Sequence, residues 1–185
     1  MSALLAAAAR DRLLMLLLEP PSKSRPAELL ALMPSLPDDV ADTVAHLAAT
    51  PTDDVEADYH RVLGPTGAVP FCESDLSGNA FAKGNLITDV SGFYKAFRYP
   101  ENVELKDSPD HIANELGYVS YLAIKEAYAE FMGLGESAVV SREAREAFGR
   151  DHLDAFAKKL AGKLIEAALP SSYYATVAAL LATRG

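Results

Sequence analysis

The residues best suited to bind a partner lie in one short segment, which reads Ser-Pro-Asp-His-Ile-Ala-Asn-Glu-Leu. It contains Asp110, His111 and Glu115, three polar groups that a hydrophobic core would not need. A carboxylate such as that of Asp110 can form a charge-assisted, bidentate contact with an arginine guanidinium. Ser108 can cap free backbone N–H groups, Pro109 suits a first helical position, and the helix dipole favours an anion at Asp110.

The helix that starts in this segment should run to about Phe131 and face the core. At 100° per residue, His111 and Glu115 lie one turn apart at the edge of the apolar face, while Asp110 points to the opposite side. We therefore expect Asp110 to contact a partner, and His111 and Glu115 to pair and hold the turn in place. The alternative is structural, with Asp110 only complementing the dipole and His111 a half-buried histidine beside Glu115. The apolar face comprises Ile112, Leu116, Val119, Ala123 and Ala127.

A second candidate site is the stretch Gly64–Ser77, the longest part of the chain without hydrophobic periodicity. Its glycines and prolines predict an ordered loop that exposes a few polar groups. Glu73 and Ser74 are the candidates there, and Tyr94 from the next predicted helix could supply an apolar wall for a bound peptide.

Other kinds of site are not supported by the sequence. The histidines have no spacing typical of metal ligands, and Gly64–Gly67 lacks the lysine of a phosphate-binding loop. Cys72 has Phe71 and Glu73 as neighbours instead of a basic group that would activate a thiolate. We therefore predict no catalytic residues, no metal and no cofactor, and a protein that is not an enzyme.

The remaining sequence predicts an all-α fold, a single globular bundle of about seven to nine helices that forms one domain over residues 1–185. Proline and glycine separate the helical segments, and no alternating strand pattern or internal repeat occurs. The predicted spans are 3–18, 27–33, 38–49, 53–63, 88–97, 109–131, 141–168 and 171–183, with a polar connector over Tyr99–Asp107.

Composition and charge narrow the class of protein. The single cysteine excludes an intrachain disulfide, and no signal peptide or membrane span is evident, so we expect a cytoplasmic protein. The net charge of −9 disfavours nucleic-acid binding. Residues 51–115 carry 12 acidic and 5 basic side chains, which favours a basic partner, although a solvated acidic surface is an equally good explanation.

With these residues laid out, the chain resembles the TorD/DmsD/NarJ family of molybdoenzyme maturation chaperones. The most specific block is Asp107–Leu116, which is similar to the family's Glu-Pro-x-Asp-His-Ile-x-x-Glu-Leu signature. Four other blocks are similar to family patterns, namely Tyr59–Gly64, Val69–Ser74, Val90–Tyr94 and Phe148–Phe156 with Tyr173-Tyr174.

The resemblance implies an all-α chaperone that binds the twin-arginine leader or N-terminal region of a molybdenum-dependent oxidoreductase subunit. It would hold this subunit until cofactor is inserted and before export or assembly. The peptide would cross the Glu73-Ser74 loop and the helix start at Pro109, Asp110 and His111, with Asp110 or Glu73 binding arginine.

Two other functions stay open. The nitrate reductase branch of the family suggests an assembly factor that grips a folded apo-subunit without recognising a leader. Nucleotide hydrolysis, proposed for some relatives, is disfavoured by the missing phosphate-binding loop. The resemblance allows a monomer or a domain-swapped dimer.

Overall fold

Helices form every regular element of the protein in the ranges that a computed structural model describes, which are residues 3–64, 66–76, 83–100, 105 and 108–184. The all-α prediction is confirmed. The helices Gly135–Phe148 and Asp154–Ala167 continue into each other through a π-helical turn, so the described ranges hold nine separate helices. The bounds are α1 Ala3–Leu18, α2 Arg25–Leu32, α3 Asp38–Ala49, α4 Thr52–Val62, α5 Glu73–Leu76, α6 Lys83–Phe97, α7 Ile112–Phe131, α8 Gly135–Phe148, α9 Asp154–Ala167 and α10 Tyr173–Ala182.

Helix α7 lies at the centre of the bundle and packs along α1. The leucines in the second half of α1 are almost fully buried, and each contributes about 2 kcal/mol of hydrophobic stabilisation; they are Leu13, Leu14, Leu16, Leu17 and Leu18. Gly117 permits this close packing, because a Cβ atom there would lie 2.8 Å from the Sδ atom of Met15. The Ser120 hydroxyl donates a hydrogen bond of 2.8 Å to the carbonyl of Ala8, so the two helices also share a polar contact.

The long helical stretch in the last third contains the π-turn, over Gly149–Leu153. The N–H of Asp154 donates to the carbonyl of Gly149 across this turn, and the wider turn changes the direction in which the side chains point. The sequence predicted a helix over 141–168 but not this irregularity. Helix α10 then begins with Ser172 as its N-cap, whose Oγ accepts a hydrogen bond of 3.3 Å from the N–H of Ala175.

The chain between α4 and α6 leads to the candidate site. Gly64 follows α4, where its N–H donates to the carbonyl of Tyr59 over 2.8 Å and a Cβ atom would collide with the backbone of His60. The stretch Gly64–Ser77, predicted to be a loop throughout, includes the short helix α5. Parts of this stretch and of Tyr99–Asp107 lie outside the described residues.

The helix ends vary in how well the sequence predicted them. The bounds of α3 and the end of α7 at Phe131 agree with the prediction, whereas α6 begins five residues earlier than expected, at Lys83. No helix within the described ranges is long and apolar enough to cross a bilayer.

Candidate functional site

The segment before α5 and the turn before α7 are joined through their backbones. The N–H of Glu73 donates to the carbonyl of Asp110 over 2.9 Å, and the N–H of Ile112 donates to the carbonyl of Phe71 over 2.9 Å. These two bonds flank an antiparallel bridge between Cys72 and His111. The two candidate sites of the sequence therefore form one site.

Asp110 is the residue that closes this junction, and its side chain is fully buried. One carboxylate oxygen accepts a hydrogen bond of 3.0 Å from the N–H of Ser74, and the other accepts a hydrogen bond from the Ser108 hydroxyl. Burial raises the pKa of Asp110, but the hydrogen bonds from Ser108 and Ser74 outweigh burial and leave the pKa below its usual value. Asp110 was expected to contact a partner, but the loop before α5 covers it and engages both of its oxygens.

His111 is the N-cap of α7, a role that the sequence suggested for Ser108. Its Nδ1 atom accepts a hydrogen bond of 3.1 Å from the N–H of Ala113, so the proton of the neutral ring belongs on Nε2. The ring packs against Phe71 at 4.8 Å between centroids and is 3 % exposed. His111 thus fixes both the helix start and the loop that covers it.

Tyr94 and Pro109 support the same turn. The hydroxyl of Tyr94 donates a hydrogen bond of 2.9 Å to the carbonyl of Pro109, and the Tyr94 ring is 3 % exposed. Burial raises the pKa of Tyr94 well above its ordinary value, which keeps the hydroxyl protonated as this hydrogen bond requires. Tyr94 was expected to form an apolar wall for a peptide, but it is a core residue that holds the turn from behind.

Glu115 lies in the first turn of α7 and is fully buried, and neither of its carboxyl oxygens has a hydrogen-bond partner among the described residues. His111 and Glu115 were expected to pair and hold the turn, but no hydrogen bond joins them among the described residues. Burial raises the pKa of Glu115 well above its ordinary value, and the neighbouring carboxylates of Glu73 and Asp110 raise it further. The shift favours the protonated, neutral form of Glu115 more than in an exposed glutamate.

Glu73, at the start of α5, extends from this junction toward the surface. Its side chain is 16 % exposed, and its Oε2 atom lies 3.1 Å from the Nδ1 atom of His152. The other ring nitrogen of His152 lies 3.2 Å from the Oδ2 atom of Asp89, whose side chain is 68 % exposed. Glu73, His152 and Asp89 therefore form a row, with an imidazole between two acids, that leads from the buried junction to solvent.

His152 and Asp89 were not among the residues that the sequence analysis selected. His152 lies in the π-turn, which directs its ring toward α5 and α6, and it packs against the rings of Phe93 and Phe148. Burial lowers the pKa of His152, but Glu73 and Asp89 outweigh burial and raise it above its ordinary value. The spacing Phe148-x-x-x-His152, which the family resemblance included, was the signal that could have identified it.

Two grooves meet at Glu73. The first is open, has a volume of about 530 Å³ and contains the carboxylates of Asp89 and Asp151 together with His152. The second is smaller, about 60 Å³, and is lined by Leu76, Ala155, Phe156 and Lys159 as well as Glu73. A chain crossing Glu73 would meet carboxylates on one side and an apolar surface on the other. Asn85, Leu86 and Thr88 complete the lining of the first groove.

The described residues contain no cluster of three or more His, Cys, Asp or Glu side chains arranged to hold a metal ion. Cys72 is 9 % exposed, so it is buried beside the bridge to His111. The structure brings together all seven candidate residues, which are Glu73, Ser74, Tyr94, Pro109, Asp110, His111 and Glu115. Most are buried supports, and Glu73 carries the charge that faces the grooves.

Comparison with known proteins places this site within one family. Neither curated proteins nor solved structures provide a match to the chain. The family model described as nitrate reductase delta subunit matches residues 29–162, which span most of the chain and include every residue of the site. The match agrees with the signature around Asp110 and with the helical fold, and on this evidence the chain belongs to the nitrate reductase delta subunit family, the NarJ/TorD type of molybdoenzyme maturation chaperone.

Proposed function

We propose that this chaperone binds the twin-arginine leader or N-terminal region of a molybdoenzyme catalytic subunit, with the peptide lying across Glu73. It would act in the cytoplasm, holding the subunit until cofactor is inserted and before export or assembly. Family membership implies the interaction with the catalytic subunit. The position of the peptide is our proposal.

The observation that carries this proposal is the meeting of two grooves at one partly exposed carboxylate. An arginine of the peptide would enter the groove that Asp89 and Asp151 line, where charge-assisted hydrogen bonds favour a guanidinium. An apolar residue further along would pack on Leu76 and Phe156 in the second groove. Arginine and apolar residues occur together in such leaders, so both ends of the peptide would find a matching surface.

The buried residues have a supporting role in this proposal. Asp110 holds the N–H of Ser74 and thereby fixes the first turn of α5, from which Glu73 projects. His111, Tyr94 and Pro109 hold the turn to which that segment is bonded. The signature thus builds a rigid base for the grooves, and Glu73 supplies the charge that binds.

Titration calorimetry with a twin-arginine leader peptide and its Lys-Lys version tests the proposal. We expect the arginine peptide to bind about tenfold more tightly, because a guanidinium can bond both oxygens of a carboxylate. Glu73→Gln should reduce the affinity about tenfold, and Asp42→Asn, which alters an exposed carboxylate on α3, should leave it unchanged. Equal affinity for both peptides, or no heat with either, would exclude leader recognition.

A second function, gripping a folded apo-subunit without reading a leader, is favoured by a different surface. Large apolar side chains are exposed where α7 turns into α8, and Phe131 is 86 % exposed. Such a surface is typical of a protein interface. Capture of the intact subunit, combined with failure to bind any leader peptide, would support this function. The other exposed apolar residues there are Tyr128, Met132, Leu134, Val139 and Val140.

A further inference from the structure

The groove beside Glu73 already contains a group that can carry a positive charge, the imidazole of His152. The ring of His152 is 5 % exposed and lies between two carboxylates, 3.1 Å from Glu73 through Nδ1 and 3.2 Å from Asp89 through Nε2. These two acids come from α5 and α6, and His152 comes from the π-turn. One imidazole therefore lies between two acids from neighbouring helices, both more than 60 residues earlier in the chain.

We infer that Glu73 and Asp89 form a two-carboxylate receptor for one guanidinium group, and that His152 occupies this receptor until an arginine displaces it. The inference rests on the proposed function, in which a client arginine enters this groove. It adds Asp89 as a binding residue and His152 as an internal competitor.

The shapes of the two cations support the exchange. A protonated imidazole and a guanidinium are both planar, with N–H groups that point to opposite sides of the ring or fork. The imidazole forms one hydrogen bond, between Nδ1 and Glu73, and its Nε2 atom lies near Asp89 without forming one. A guanidinium has five N–H groups and can bond both oxygens of a carboxylate. An ammonium group lacks this planar geometry, so a lysine replaces His152 less effectively.

The surroundings of His152 leave a route for the incoming group. The rings of Phe93 and Phe148 pack against His152, with centroids 5.7 Å and 5.0 Å from its own. Asp89 is largely exposed and lines the open groove, so a ligand can reach the receptor from this side.

The charged groups that face His152 determine whether its imidazole keeps its proton when a guanidinium enters. They are Glu73 from α5 and Asp89 from α6, with Glu115 of α7 behind Glu73. Within the π-turn itself, Arg150 and Asp151 pair with each other at 3.0 Å. An imidazolium displaced from Glu73 and Asp89 loses the contacts that raise its pKa, so above the ordinary histidine value of about 6.5 it releases its proton to water. One cation enters, and one proton leaves.

The test uses ethylguanidinium chloride as the probe, with titration calorimetry on the full chain in two buffers of different ionisation enthalpy. The native protein should release up to one proton per guanidinium bound. His152→Gln should bind the probe about tenfold more tightly without proton release, because a neutral amide competes less than an imidazolium. Asp89→Asn, a change at an exposed side chain that the fold tolerates, should bind it about tenfold more weakly.

Matched controls separate the receptor from general charge effects. Asp42→Asn removes one exposed acid from α3 and should behave like the native protein. Ethylammonium chloride should bind more weakly than ethylguanidinium. The inference is overturned if His152→Gln binds ethylguanidinium no more tightly than the native chain, or if Asp89→Asn has no effect.

The leader peptide distinguishes failure of this inference from failure of the proposed function. If the peptide binds and neither Asp89→Asn nor His152→Gln changes its affinity, the receptor is overturned and leader binding stands. If ethylguanidinium behaves as expected while the peptide does not bind, the receptor stands and leader binding fails.

Discussion

The turn before α7 and the groove beside it both bury charged side chains, but they neutralise them in different ways. Asp110 in the turn receives its hydrogen bonds from neutral donors, the N–H of Ser74 and the hydroxyl of Ser108. In the groove, the partner of Glu73 and Asp89 is the imidazole of His152, which can carry a positive charge. The first arrangement involves backbone and cannot be exchanged without unfolding the loop. The second joins side chains from separate elements and can be exchanged for an external cation.

This difference indicates how one acidic cluster can combine structural and binding roles. Glu73 belongs to both regions, since its N–H bonds the carbonyl of Asp110 and its carboxylate bonds His152. A rigid turn therefore positions the one side chain that exchanges partners. Substitutions in the turn should mainly reduce stability, and substitutions in the groove should mainly change binding.

The largest effect should come from Asp110→Ala, which removes the acceptor of a buried backbone N–H and of a hydroxyl. We expect a loss of about 3 kcal/mol in the free energy of unfolding at pH 7, measured by urea denaturation. Asp110→Asn keeps one acceptor oxygen and should lose about half as much. Because the pKa of Asp110 is lowered, its stabilisation is present above the unfolded value of about 3.8 and disappears as the pH falls through the folded value.

A loss below about 0.5 kcal/mol in Asp110→Ala would contradict the comparison. The buried hydrogen bonds of Asp110 would then contribute no more to stability than an exposed surface ion pair. Asp42→Ala on α3 is the matched control for removal of an acid, and it should leave the unfolding midpoint unchanged.

The sequence predicted those parts of the fold that depend on local spacing. Apolar residues at helical intervals predicted the end of α7 at Phe131, and the flanking Pro37 and Pro51 predicted both bounds of α3. The family resemblance, and not any local pattern, grouped Glu73, Tyr94 and the turn before α7 into one site.

The exposure of the site residues could not be predicted, because it depends on contacts between distant segments. Asp110 is buried by a loop 36 residues earlier in the chain. The local rules for helix starts depend only on neighbouring residues such as Ser108, so they could not predict this burial. His152 lies 79 residues from Glu73, and no sequence pattern predicts the π-turn that directs it there.

A smaller effect with a distinct pH dependence should come from Glu115→Gln, which replaces a buried acid without hydrogen-bond partners by a neutral side chain of the same shape. The pKa of Glu115 is raised, so its contribution to stability is fully present below the unfolded value of about 4.5 and is lost as the pH rises through the folded value. The Gln variant has no such loss, and we expect it to be about 1 kcal/mol more stable than the native chain at pH 8.

Urea denaturation at a series of pH values measures this effect. The pH-dependent contribution of His152 to stability must be separated from it. The raised pKa of His152 gives stability that is fully present below about 6.5 and is lost only above that value. Differences that arise between pH 4.5 and 6.5 therefore belong to Glu115. A native stability that does not fall with pH relative to the Gln variant would mean that Glu115 has a hydrogen-bonded partner in solution.

The smallest effect on stability should come from Asp89→Asn, because a side chain that is 68 % exposed contributes little through its ion pair. We expect a change below about 0.5 kcal/mol, confined to pH values at which His152 is protonated. The same substitution removes one of the two acids that raise the pKa of His152, so this pKa should fall toward its ordinary value of 6.5. A proton NMR titration of the imidazole resonances measures that shift directly. If Asp89→Asn instead destabilised the protein as much as Asp110→Ala, the groove would be a structural brace like the turn, and its cation could not be exchanged without unfolding the site.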